Sequence, residues 1–133
     1  MKINDQEILN VSGLDPEERY QYFIKRICDW EVIWVMYNEE SGYALNVDTL
    51  DQKYLYLFPN ETFTQLYINA DVEFHEFQPT RIDLHEFKDS LVAKFKAKGV
   101  HLALVFPVAN GYGLNVELDT ICKNIDEEID EHY

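Results

Sequence analysis

Residues 54–67 read YLYLFPNETFTQLY, five apolar residues running into a proline and then a polar restart. Pro59 has no amide proton to continue a ladder, and it biases Phe58 toward extended geometry, so a strand over 54–58 must stop there. Its tyrosines, Tyr54 and Tyr56, fall on one face and Leu55 and Leu57 on the other, and both faces need cover. Asn60 is placed to cap a helix through its side-chain oxygen, with Phe63, Leu66 and Tyr67 as the apolar stripe. The break therefore reads as a strand-to-helix switch.

Fifty residues on, VHLALVFP at 100–107 repeats the stop. This nearly all-apolar segment is predicted to be a central strand covered on both sides, lying beside 54–58 in one layer, with His101 as its one polar side chain. After Pro107 the chain makes a turn, Val108 to Gly113, and then a brief strand return at Leu114–Val116.

The remaining elements are set by caps and periodicity. Asp15-Pro16-Glu17-Glu18 combines an N-cap, a first-turn proline and a glutamate three residues after the cap, so a helix starts there and ends near Asp29. Tyr20, Phe23, Ile24 and Ile27 form its apolar stripe. Ile8, Leu9 and Val11 predict a short helix before it, stopped at Gly13. Val32–Tyr37 and Tyr43–Val47 read as a hairpin around Asn38–Gly42. Val72–Phe77 alternates and is predicted to be an edge strand ended by Gln78-Pro79. Asp83-Leu84-His85-Glu86 repeats the capping box before a helix carrying Leu84, Phe87, Leu91 and Phe95 up to Gly99. Leu118, Ile121, Cys122, Ile125 and Ile129 predict a C-terminal amphipathic helix with its acids on the wet face. The expected fold is α+β over one domain, residues 1–133: one mixed or antiparallel sheet of five or six strands with four helices packed on it.

The chain has 133 residues, 47% of them hydrophobic, and no apolar run approaches the roughly 18 residues of a membrane span. Eleven basic against twenty-five acidic residues give a net charge of −14, which opposes phosphate backbones and anionic lipid and favours, if anything, a basic protein partner. No signal-like stretch opens the sequence, so a cytoplasmic location is expected. Cys28 and Cys122 lack a C-x-x-C arrangement and sit among apolar neighbours, as small buried hydrophobes do.

Chemistry is sparsely signalled. His75, His85, His101 and His132 have no partner at metal-ligand spacing, and neither a metal nor a cofactor is expected. There is no G-x-S-x-G elbow, and Asn110-Gly111-Tyr112-Gly113 lacks the pattern of a nucleotide cradle. The aromatic cluster of Trp30, Trp34, Tyr37 and Tyr43 is expected mostly in the core, and any member left exposed would mark a contact surface. The candidate interaction or pocket residues are Trp34, Tyr43, Tyr54, Tyr56, His75, His101 and Tyr112; no catalytic residue stands out.

The segments ERYQYFIKRICDWEVIWVMYNEESGYAL, LYLFPNETFTQLY, PTRIDLHEFKDSL and VFPVANGYGLNV cover most of residues 18–116. Their order resembles a family of small bacterial proteins described as a domain of unknown function, number twenty-seven fifty. The resemblance implies a compact cytoplasmic domain and carries over no catalytic residue. The layout is also similar to small secretion-associated and toxin-immunity domains, an analogy that implies interaction before catalysis. Two functions suit the sequence. One is a non-enzymatic, acidic interaction module, immunity- or regulator-like, that binds a basic protein. The other is a small-molecule binder or modest enzyme with a pocket near Pro59 and Pro107. The oligomeric state is left open.

Overall fold

The computed structural model describes residues 3–109 and 112–132. The chain runs α1 (Asp5–Ser12), α2 (Pro16–Trp30), β1 (Val32–Asn38), β2 (Gly42–Tyr43), β3 (Leu45–Val47) and β4 (Lys53–Leu57). It continues with α3 (Glu61–Ala70), β5 (Gln78–Asp83), α4 (84–97, with a widened π turn at Phe87–Leu91), β6 (Val100–Val105), β7 (Leu114–Glu117) and α5 (Leu118–His132). The class is α+β, as the pattern required.

The expected helix starts form through the expected caps. Asp15 accepts from the Glu18 N–H at 2.9 Å, Asn60 from Phe63 at 2.9 Å and Asp83 from Glu86 at 3.0 Å. Each satisfies an amide that the first helical turn leaves without an internal partner.

The single sheet is corrected to two, ordered β2-β1-β5 and β3-β4-β6-β7, and five helices replace four among the described residues. The predicted return strand at 43–47 divides at buried Ala44. Before it, Tyr43 pairs with Tyr37 of β1; after it, Leu45–Val47 pair with β4. One bridge still joins the ladders, with Trp34 and Phe58 exchanging hydrogen bonds of 2.9 and 3.1 Å.

A second correction concerns 72–77. Asp71 accepts from the Glu73 N–H at 3.0 Å and winds Val72–Phe74 into a 3-10 turn, so Phe74 is buried while Val72 is 80% exposed. The strand lies just beyond, at β5, with Pro79 opposite Met36. Proline is tolerated there because β5 is an edge strand, paired only with β1.

β4 and β6 lie side by side and parallel, Leu55 opposite Ala103 and Leu57 opposite Val105, and all four of these residues are buried. On the opposite face of β4, the Tyr56 ring meets Tyr67 of α3 at 5.8 Å and Phe74 at 5.3 Å, so α3 and the 3-10 turn cover the tyrosines. β6 is less covered than its composition implies. Ala103 and Val105 are buried, Leu102 and Leu104 are half-buried, and His101 is exposed. α5 packs against α2, β6 and β7, with Ile121 and Ile125 inward and Asp126, Glu127, Asp130 and Glu131 in solvent.

Gly113 is fixed by a close approach. A Cβ there would stand 2.8 Å from the Val105 carbonyl oxygen and 3.0 Å from the Pro107 nitrogen, and neither backbone atom can swing aside. Gly113→Ala is expected to lower stability by roughly 1–3 kcal/mol through forced displacement of the β6–β7 connection. A thermal melt superimposable on that of the unsubstituted protein would contradict this account.

Candidate functional site

β4 and β6 end in register, and their carboxyl ends set the geometry of the main cleft. The Phe106 amide donates to the Leu57 carbonyl at 2.8 Å. Phe106 then turns into left-handed backbone, φ 52°, with its side chain fully buried. That region is costly for a bulky residue and persists only where its surroundings enforce it. Phe106 sits 4.7 Å from the Phe63 ring and 6.0 Å from the Tyr22 ring, which supply that enforcement. The turn redirects the chain at Pro107 and opens a space beside α3.

That space is a cleft of about 610 Å³ between the α1–α2 junction, α3 and the segment after β6. Leu14, Pro16, Phe63, Leu66, Tyr67, Pro107 and Val108 give it a mainly apolar wall, and Ser12 and Arg19 add polar groups. Leu66 is 44% exposed and Tyr112 87% exposed at its rim.

Arg19 holds the walls together. It is 3% exposed, and its guanidinium donates from Nε to the Phe106 carbonyl at 3.2 Å, from Nη1 to the Leu14 carbonyl and from Nη2 to the Tyr112 carbonyl. Burial lowers its pKa, and the nearby Asp15 charge works the other way. A guanidinium stays protonated even so, and its planar set of donors suits three acceptors arriving from three segments. Arg19 lies four residues before Phe23, on the buried stripe of α2. That spacing was the signal available in the sequence, where an arginine in a charged run reads as solvated.

The candidates from the sequence are not gathered in one place. Tyr112 lines the cleft, and Tyr43 lines a second one against Phe95, their rings 5.2 Å apart. Tyr54 and Tyr56 are buried in the sheet, Trp34 is half-buried, and burial pushes the Tyr56 phenol up. Tyr54 donates to Asp48 at 2.9 Å in a local turn. His75 edges an open, polar depression beside Gln65 and Asn69, and His101 is exposed on β6; neither reaches the main cleft. Of the proline stops, Pro107 lines the cleft and Pro59 does not.

Among the described residues, no group of three or more His, Cys, Asp or Glu could hold a metal ion, and no helix is long and apolar enough to cross a membrane. Burial pushes the Cys28 thiol up to about 11 and raises that of Cys122 as well. Both are free thiols, and a thiol held neutral is a poor nucleophile. Native protein at pH 8 is therefore expected to react with a chromogenic aryl disulfide far more slowly than the urea-unfolded chain. Stoichiometric reaction of the native protein within the mixing time would contradict that.

Residues 20–125 match the family described as Protein of unknown function (DUF2750), and the chain belongs to that family. No curated protein matches it.

Proposed function

We propose that this protein binds a small, largely apolar molecule in the Arg19 cleft. The observation that carries the reading is the cleft's position: about 610 Å³ at the carboxyl ends of the parallel pair β4 and β6. In open parallel sheets ligands bind beyond the strand carboxyl ends, an arrangement that the parallel pair of this mixed sheet reproduces locally, and the volume lies within the roughly 300–1,000 Å³ of small-molecule sites. The wall contains no His, Cys, Asp or Glu among the described residues, which favours binding over proton-transfer catalysis. Its polar groups, Ser12, Arg19 already committed to three carbonyls and Tyr112 at the rim, would orient a ligand rather than transform it.

The test is a panel of uncharged aromatic and aliphatic fragments followed by amide chemical shifts. Perturbations at Leu66, Tyr67, Val108 and Ala109, lost in Leu66→Trp, are expected. A panel that moves none of these amides, or binding that survives Leu66→Trp unchanged, would defeat the reading.

A second reading, favoured by Tyr112 at 87% exposure on the rim of a chain of net charge −14, is a module that docks a basic partner protein. Its signature is salt-sensitive association weakened by Tyr112→Ala. The inward turn of Tyr54 and Tyr56 takes away the broad aromatic face that this reading would otherwise use.

A further inference from the structure

A second cleft of about 340 Å³ lies on another part of the surface, between the β1–β2 turn, the start of β4 and the end of α4. Its floor is apolar and aromatic, with Tyr43 packed edge-on to buried Phe95 at 5.2 Å. Lys53, Lys94 and Lys98 line it, and no carboxylate does.

This is unusual for a chain with eleven basic and twenty-five acidic residues. Elsewhere several cations are engaged, while Lys25, Arg81 and Lys123, each apart from the others, make no ion pair among the described residues. Arg26 pairs with Glu7 and Asp29, Lys88 with Asp126, Lys96 with Asp119, and Arg19 is committed to carbonyls. Lys53, Lys94 and Lys98 make no ion pair among the described residues.

Cations in the last turn of a helix complement its dipole, which accounts for Lys94 and Lys98 taken alone. It does not account for Lys53, which arrives from β4, nor for the apolar floor. The helix end carries roughly −0.5 of a charge, and three ammonium groups more than reverse it. Three ammonium groups thus outweigh the helix end at this mouth, against the charges of Glu40 beside Ser41 and of Glu86, which reaches Tyr43. All three ammonium groups are exposed, so their attraction for an anion is screened by salt.

We infer that the cleft lined by Lys53, Lys94 and Lys98 binds a small molecule with a phosphate or carboxylate head and a flat apolar body, the head among the lysines and the body against Tyr43 and Phe95. This site is separate from the Arg19 cleft, and the two have no lining residue in common.

The probes are 1-naphthyl phosphate, 1-naphthoate, the uncharged 1-naphthol and inorganic phosphate, each titrated into the full chain with amide shifts recorded. Both charged naphthyl probes are expected to move the amides of Tyr43, Leu91, Phe95 and Val100 and to bind more weakly as salt is raised. Naphthol and inorganic phosphate are expected to bind at least about tenfold more weakly, because each satisfies only half of the site. Each Lys→Gln substitution should weaken binding by about two- to fivefold, the range for exposed ion pairs, and the triple variant by about tenfold or more. All three lysines are exposed, so the variants should keep the native circular dichroism. The tighter of the two charged probes identifies the head group. Equal binding of naphthol and naphthyl phosphate, an unchanged triple variant, or shifts confined to Leu66, Tyr67 and Val108 would overturn the inference. The last result would instead support a ligand in the Arg19 cleft.

Discussion

Arg19→Met is expected to destabilise the protein by roughly 3–5 kcal/mol, because hydrogen bonds from a charged donor contribute roughly 1.5–3 kcal/mol each and three are lost together. The carbonyls of Leu14, Phe106 and Tyr112 would lose their shared donor, and those nearest the cleft would recover part of the loss from water. Arg19→Lys keeps the charge but replaces a planar fork by one compact ammonium, so it should recover less than half of the deficit. Urea unfolding of the three proteins, compared at constant m-value, measures both effects. The same variants probe the cleft, since the arginine ties the α1–α2 junction to the segment after β6. If either variant unfolds at the midpoint of the native chain, the guanidinium is not the tie described here.

The second large effect is expected at Phe106. Removing its fully buried ring in Phe106→Ala should cost roughly 3–5 kcal/mol, since Phe63 and Tyr22 lose a packing partner and a cavity remains. Phe106→Gly deletes the same ring but relieves the left-handed backbone at φ 52°, a conformation that costs residues with a Cβ roughly 1–2 kcal/mol. The glycine variant should therefore be no less stable than the alanine variant, the reverse of their usual order. Paired thermal or urea denaturation decides it. An alanine variant more stable than the glycine variant by about 1 kcal/mol or more would mean that this turn stores no strain.

Local chemistry was readable wherever it acts over a few residues. The caps at Asp15, Asn60 and Asp83 and the stop at Pro59 concern atoms within four positions of one another. Phe74 illustrates the limit. Apolar residues at 72 and 74 with polar ones at 73 and 75 suggest alternation, yet Asp71 captures a following amide, the resulting turn buries 74 and half-buries 77, and the strand moves on to 78–83. Pro79 reads as a stop because it cannot donate, yet on the free side of the edge strand β5 no donor is needed and the strand runs through it.

The candidate sites were harder still, because their members come from distant positions. Arg19 meets Phe106 and Tyr112 from 87 and 93 residues away. Lys53 shares a cleft with Lys94 and Lys98 only because β4 pairs with β6, the strand directly after α4. Of the aromatic residues singled out, Tyr43 and Tyr112 line clefts, while Tyr54 and Tyr56 turn inward, with α3 and the 3-10 turn covering Tyr56.

By itself the sequence determined the α+β class and the helix starts, which rest on spacing, capping side chains and an imino acid that cannot donate, and the order of its motifs carried the resemblance to the family. Only the tertiary structure decided the division into two sheets at Ala44, the burial of a cation under three carbonyls and the meeting of three lysines in one cleft. Each of these depends on which strands pair, and that is a competition among long-range contacts that no local pattern encodes.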